Sequence, residues 1–349
     1  MKEKKIFGKK YNELTGCIHN HTEYSFDCSV PIAQIISEAK ENDLDYFTIN
    51  DHRNKKAKKD EAVLIEKELK VIVGTEINDK DNYNHYLVFE CDDIQKNSTV
   101  EEYMHYYKKK NAVTFAAHPF EKRASKKFRK YHWTNFKNDD FSGLEIWNFL
   151  SSWLGKMNPR LNGLFLILFP AAVVRTPHRE LLSYWDELNN SGKRKSAIGS
   201  IDAHKETYKK FGIRFKFLTH KYLFGTIRTN VLIPEDKPAN EQNIIKSIKN
   251  GNSYIVNYKR GNPYNFYGGI CDDNGVGVSF GEEIPFKENL KYYFNLPENS
   301  NVHLYRNGVC IKKQLDFKGF FEIEEDGNYR LEILRFGKGW IYTNNIYVV

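Results

Sequence analysis

The chain lacks any apolar stretch long enough to span a bilayer. Its most hydrophobic run, LFLILFPAAVV at residues 164–174, contains Pro170 and ends at Arg175, whereas a spanning helix needs about 20 residues. A helix or loop packed on the core is the plain expectation for it, and an interfacial or oligomer-contact segment the sharper one. The opening MKEKKIFGKKYNELTG has no apolar h-region, which predicts no secretory signal. Cysteine is scarce, with five residues at 17, 28, 91, 271 and 310, odd in number and without paired spacing. Reduced thiols in a cytoplasmic protein are therefore expected rather than a disulfide framework.

Nucleophile signatures are missing too. There is no GxSxG, and no cysteine has a base at motif spacing, so an activated side-chain nucleophile is not expected. No helix-turn-helix, RNP-like or zinc-finger pattern accompanies the net charge of +8. A nucleic-acid-associated accessory module is thus the last-ranked reading. The surplus of Lys and Arg suits a small anionic substrate and equally a solvated surface.

What is present is a repeated grammar over residues 14–204. Short apolar runs end in ligand-type residues: LDYFTIN before Asp51 and His52, KVIVGT before Glu76, NAVTFAA before His118, and KSAIGSI before Asp202 and His204. SGLEIWN carries Glu145 within its run. Helical patterns lie between them. Residues 31–42 place Ile32, Ile35, Ile36 and Ala39 on one face, Ser98 and Glu101 read as a capping box, and residues 178–190 carry Leu181, Leu182, Trp185 and Leu188. Alternating strand and helix predicts a parallel α/β architecture with chemistry at the carboxyl ends of the strands. After residue 235 a last helix, NEQNIIKSIKNG, gives way to alternating runs. The hairpin signals Asn307-Gly308 and Asp326-Gly327 predict a separate antiparallel β domain over 262–349, sandwich-like.

The puzzle is GCIHNHTEYSFDCS at residues 16–29. Side chains two apart on a strand share a face, so His19 and His21 can chelate one ion. Asp27, His52, Glu76, His118, Asp202 and His204 recur at strand ends, with His85 starting or lying within a further strand. Imidazole mixed with carboxylate suits Zn, Mn or Fe, and the missing cysteine ligands argue against a structural zinc knot.

The segments HNHTEYSFD, TINDH, GTEI, AAHPF, GLEIWN and DAH, in this order, resemble the PHP (polymerase and histidinol phosphatase) metallohydrolase family. The run from EIWNF through AIGSIDAH to GTIRTNVLIPE is similar to its CehA/McbA-like, carbaryl-hydrolase branch. The resemblance implies a distorted (β/α)7 barrel over 12–260 holding two or three divalent ions, followed by the β-rich 262–349. It places His19, His21 and Asp202 on a first ion, Glu76 bridging to a second held by His118 and His85, and Asp27, His52 and His204 on a third.

Around these ligands, Asp51 is expected to orient an imidazole, and Arg53, Glu145, Lys122 and Arg123 to touch substrate or ligands. The basic stretch EKRASKKFRKYHW follows His118 directly and either clamps an anionic group or is a solvated loop. His105, His132, His178 and His220 lack motif context and read as solvated. Close-set metals ionise a bridging water at neutral pH, while Asp202, His204 and His52 serve the reaction and a histidine protonates the leaving oxygen. Metal-assisted hydrolysis of a small phosphate ester or nucleotide is the first expectation, and carboxylester or carbamate hydrolysis the alternative.

Overall fold

Apolar spacing decides where the helices form. The computed structural model describes residues 1–204, 206–210 and 213–349, with backbone alone at 206–210 and 213–215. Helix Ile32–Lys40 buries Ile32, Ile35, Ile36 and Ala39, and Arg179–Asn190 buries Leu181, Leu182, Trp185 and Leu188. Helix Glu241–Lys249 starts from an Asn240 cap, and Gly251 follows it at φ +77°. The capping box of Val100–Lys109 sits one residue later than expected. Thr99 accepts from the Glu102 N–H, and the Glu102 carboxylate accepts from the Thr99 N–H.

Two compact units are present. One comprises residues 1–15, 178–198 and 229–349, the other 16–177 and 199–228. Three of the division points fall inside the strands Lys9–Asn20, Ser196–Ser200 and Ile227–Pro234.

In the unit built on 16–177 and 199–228, Gly16 and Cys17 pair in parallel with Tyr46–Ile49, which pairs in parallel with Lys70–Val73. A separate five-stranded sheet runs in the order Thr75–Asn78, His85–Phe89, Val113–Ala116, Gly143–Asn148, Ser196–Ser200. This is a mixed α/β fold whose sheet does not close into a barrel. Its βα alternation breaks at KVIVGTEIN, which divides at Gly74 into two strands of different sheets. From there Thr75–Asn78, His85–Phe89 and Val113–Ala116 pair antiparallel. Gly74 is required for that step, because a Cβ there would lie 2.7 Å from the Val88 carbonyl oxygen and the Phe89 ring.

Individual backbone bonds span the breaks between the sheets: Gly74 N–H to Ile49 O, Glu76 N–H to Asn50 O, Ile201 N–H to Ile18 O, and Ala203 N–H to His19 O. The run 164–174 is not core. Leu164 and Leu168 are each 63% exposed, and only Leu166, Pro170 and Val174 are buried, because the six-residue helix Gly163–Leu168 offers a single inward position beside Gly163. No helix among the described residues is long and apolar enough to cross a membrane.

The other unit is dominated by antiparallel strands. Tyr267–Cys271, Lys291–Arg306, Gly327–Arg335, Lys338–Thr343 and Ser253–Asn257 are successive neighbours in one continuous sheet rather than two separate sandwich leaves. Asn307-Gly308 makes the expected hairpin between Lys291–Arg306 and Val309–Glu322, both residues having positive φ. Asp326-Gly327 does not, because the strands before and after it both pair with Lys291–Arg306 and not with each other. The second tight hairpin turns instead at Phe336-Gly337, also at positive φ. All five cysteines are free thiols.

A buried ion network anchors helix Arg179–Asn190 within this unit. Arg330, only 1% exposed, donates from Nε and Nη2 to the two Asp186 oxygens at 2.8 and 2.7 Å and from Nη1 to Glu332 at 2.8 Å. Arg179 also donates to Glu332, at 2.9 Å. Removing the central guanidinium strands buried carboxylates, which costs about 3–5 kcal/mol. Arg330→Met is therefore expected to lower unfolding free energy by about that much in urea melts; a change below about 1 kcal/mol would show the network to be dispensable.

Candidate metal centre

Strand ends deliver the candidate ligands, and the backbone bends sharply where they leave. His19, His118 and Asp202 have φ of +68°, +31° and +54°, a left-handed region that bulky residues rarely enter. Strain of this kind persists where surrounding bonds over-determine it. His19 is held by its N–H on Thr48 Oγ1 at 3.0 Å and by its carbonyl on the Ala203 N–H. His118 donates its N–H to Glu145 Oε2 at 2.8 Å. His21 lies just past the end of its strand at Asn20, and the register slips between Cys17 and Asn20. The His19 and His21 rings, 5.1 Å apart, thus meet through a kinked strand end and not by simple pleat alternation.

Glu76 is the hub. Its Oε2 lies 3.1 Å from His19 Nε2, 3.3 Å from His21 Nε2 and 3.4 Å from His52 Nε2. Its Oε1 lies 2.7 Å from His85 Nδ1 and 3.5 Å from His118 Nε2. Asp202 Oδ1 stands 3.4 Å from His19 Nε2 and 3.5 Å from His21 Nε2. Asp27 Oδ2 faces His52 Nε2 at 3.0 Å and His204 Nε2 at 3.2 Å. Among the described residues, three groups have ligand atoms mutually within 4.8 Å: His19, His21 and Glu76; Glu76, His85 and His118; and Asp27, His52 and His204 joined by His21.

The donor set fits divalent cations on a specific count. His21 Nε2 is buried with no hydrogen-bond partner and points at two carboxylates, as a lone pair aimed at an ion would. The opposite nitrogens are fixed from behind. His19 Nδ1–H donates to Glu145 Oε1 at 2.7 Å, His204 Nδ1–H to the Asp202 carbonyl at 3.0 Å, and His118 Nδ1–H to the Tyr131 carbonyl at 3.3 Å. Such partners set tautomer and ring orientation.

Burial opposes ionisation of Glu76, Asp27 and Asp202, but the surrounding imidazoles outweigh it and hold all three below the usual carboxylate range. Burial likewise depresses His118 and His204, yet Glu76 and Glu121 raise the first, and Asp202 and Asp27 the second, to about 9. For His85 burial wins, and its value falls to about 4.

The remaining candidates fall outside the ligand groups. Asp51 accepts from the Thr22 N–H and Oγ1–H, both at 2.7 Å, and so pins the backbone after His21 rather than orienting a ring. Arg53 donates to Asn78 Oδ1 at 2.9 Å and ties the turn after His52 to strand Thr75–Asn78. Lys122 is exposed and does not line the cavity of about 250 Å³ over the ligands, whereas Arg123 does. Cys17 Sγ faces the Phe224 and Ile227 carbonyls, away from the ligands.

Two residues escaped the sequence reading. Ser25 Oγ donates to Asp27 Oδ1 at 2.6 Å and lies 3.3 Å from both His21 Nδ1 and the His52 N. Its place two residues before Asp27 was the available signal. His220 is 1% exposed and not solvated, with Nε2 3.0 Å from the His21 carbonyl oxygen; nothing local in the sequence marks it.

Residues 18–136 match the PHP domain family model. The PHP match includes every candidate ligand from His19 to His118 and stops short of Glu145, Asp202 and His204. No curated protein matches the chain. A two-domain protein from Bacteroides vulgatus, described as containing a predicted PHP-like metal-dependent phosphoesterase, has a similar structure: 16% identity, 96% of this chain and 95% of that one covered, TM-score 0.47. A proposed metal-dependent phosphoesterase from Bifidobacterium adolescentis shares 15% identity over 54% of this chain and 87% of its own, with TM-score 0.35.

Glu145→Gln leaves His19 without its anionic support and is expected to weaken divalent-metal affinity about 10–100-fold, measured by titrating metal-free protein; unchanged affinity would remove Glu145 from that role. In metal-free protein, His118 and His204 titrate higher when folded than the ordinary histidine value of about 6.5. Their contribution to stability is complete below that value and disappears as pH rises through about 9. The urea midpoint of metal-free protein should therefore fall between pH 7 and about 9.5, and a flat or rising midpoint would contradict it.

Proposed function

We propose that the chain is a metal-dependent hydrolase that cleaves a small phosphate ester or nucleotide. The observation that carries this is Glu76, whose two carboxylate oxygens face two different imidazole groups, as a bridge between two close ions requires. The PHP match over the segment containing those ligands supports the same reading.

His19, His21, Glu76 and Asp202 would hold the first ion, and Glu76, His85 and His118 the second. Asp27, His52 and His204 would hold a third. Zn, Mn and Fe all suit such a nitrogen and oxygen set. Bound divalent ions supply ionised water at neutral pH and neutralise charge on the phosphoryl oxygens. Glu145 keeps His19 Nε2 directed inward, and Ser25 ties Asp27 to the same loop. His204, with Nδ1 fixed on the Asp202 carbonyl, presents Nε2 beside Asp27 and hands a proton to the leaving oxygen when the third group is metal-free; His52 Nε2 on the same carboxylate oxygen is the second donor.

We read the two open sheets as an unclosed variant of the distorted (β/α)7 arrangement, and residues 12–260 and 262–349 as the functional division of the chain. Free, mostly buried thiols fit a cytoplasmic protein. A carboxylester or carbamate hydrolase of the CehA/McbA-like type is the second reading, favoured by Leu150 and Leu154 on the cavity wall.

The test is a panel of phosphate monoesters, nucleotides, neutral aryl esters and carbamates. It is run on chelated protein and after restoring Mn, Zn or Fe. Turnover of phosphate esters that vanishes on chelation and returns with metal is expected. Turnover confined to neutral esters would replace the first reading by the second.

A further inference from the structure

The cavity over the ligands carries a charge inventory and a pair of rings that together restrict what can enter. Among the described residues, Arg123 is the one guanidinium or ammonium group on its wall. All three of its nitrogens are already engaged within the protein: Nε–H on the Arg129 carbonyl at 2.9 Å, Nη1 on the Lys122 carbonyl at 3.2 Å, and Nη2 against Glu121 Oε1 at 2.5 Å. Glu121 is itself buried, and its other oxygen takes the Tyr131 N–H. This guanidinium therefore braces the loop after His118, with its charge answered by Glu121 and three of its five N–H donors engaged within the protein.

The non-ligand wall is instead largely apolar and aromatic. Phe26 is 84% exposed, yet its ring centroid lies 4.9 Å from that of His52, at 31°. Tyr131 lies over His85, centroids 4.8 Å apart at 39°. Leu150 and Leu154 add aliphatic surface. His52 meets the Phe26 ring on one side and leaves most of it in water, and a flat apolar group entering the cavity would cover more of it.

Resting on the hydrolase reading, we propose that the cavity selects substrates with one anionic head: a single phosphoryl group on the ligand cluster and an uncharged, flat leaving group packed against Phe26 and Tyr131. Substrates with a second phosphate or carboxylate are disfavoured, because that group would meet Glu121 and an already paired Arg123.

The experiment compares benzyl phosphate with ethyl phosphate, both alkyl esters, on metal-loaded full-length protein. Phe26→Ala is expected to reduce the benzyl-to-ethyl ratio of kcat/KM about tenfold, mostly through KM. Phe26→Tyr is expected to retain the ratio, and metal content should be equal in all three proteins. Benzylphosphonate and ethylphosphonate, which cannot be hydrolysed at the bond in question, give the same comparison as dissociation constants. If no phosphate ester is turned over while the phosphonate preference holds and depends on Phe26, the ring platform stands and the hydrolase reading fails. A preference that is absent, or that survives Phe26→Ala, overturns the platform whatever the activity. Fructose 1,6-bisphosphate binding as tightly as benzyl phosphate would overturn the charge argument.

Discussion

One carboxylate sets the terms for everything near it. Glu76 is fully buried among imidazoles, and a charge in that position is tolerable only because every neighbour answers it. The segment 50–53 grips its backbone on both sides, with Glu76 N–H on the Asn50 carbonyl and the Arg53 N–H on the Glu76 carbonyl. That grip places its two oxygens toward different histidine groups. The same clamp explains the otherwise awkward step at Gly74, where the chain leaves one sheet to begin another. The geometry of the sheet junction and the geometry of the ligands are thus a single arrangement.

Strain is distributed in a comparable way. His19, His118 and Asp202 each adopt a backbone conformation that their side chains disfavour, at a cost of order 1–3 kcal/mol apiece. Each is compensated by bonds from distant segments: His19 by Thr48 and Ala203, His118 by Glu145, and Asp202 by the bonds of Ile201 and Ala203 on either side. The bonds of Ile201 and Ala203 also bridge the open sheets. Closing the site and joining the sheets are carried by the same few hydrogen bonds.

Much of this was legible in the sequence because ligands announce themselves by type and position. A histidine or carboxylate at the end of an apolar run is visible without coordinates, and so is the apolar face of a helix such as Ile32–Lys40. What was not legible depended on pairing. KVIVGTEIN reads as one strand, since periodicity carries no information about which sheet each half joins. Asp326-Gly327 has the composition of a tight hairpin, but strand order, which is a long-range property, places its flanking strands on opposite sides of Lys291–Arg306. The run 164–174 looks like core from hydrophobicity alone, yet a helix of six residues cannot bury most of it. His220 was invisible for the same reason: its role is a contact with His21, 199 positions away.

The path of the chain has a consequence for how the protein is made. Residues 16–177 belong to one unit, 178–198 to the other, 199–228 return to the first, and 229–349 again belong to the other. During synthesis the histidines near position 20 emerge long before Asp202 and His204, so an early ion would meet an incomplete and unselective nest of donors. The first unit is complete only when residue 228 has emerged, and residues 178–198 wait for 229–349, so ribosome-bound intermediates should keep apolar surface uncovered. A chain threaded in this way completes its candidate ligand set only when Asp202 and His204 join histidines made far earlier.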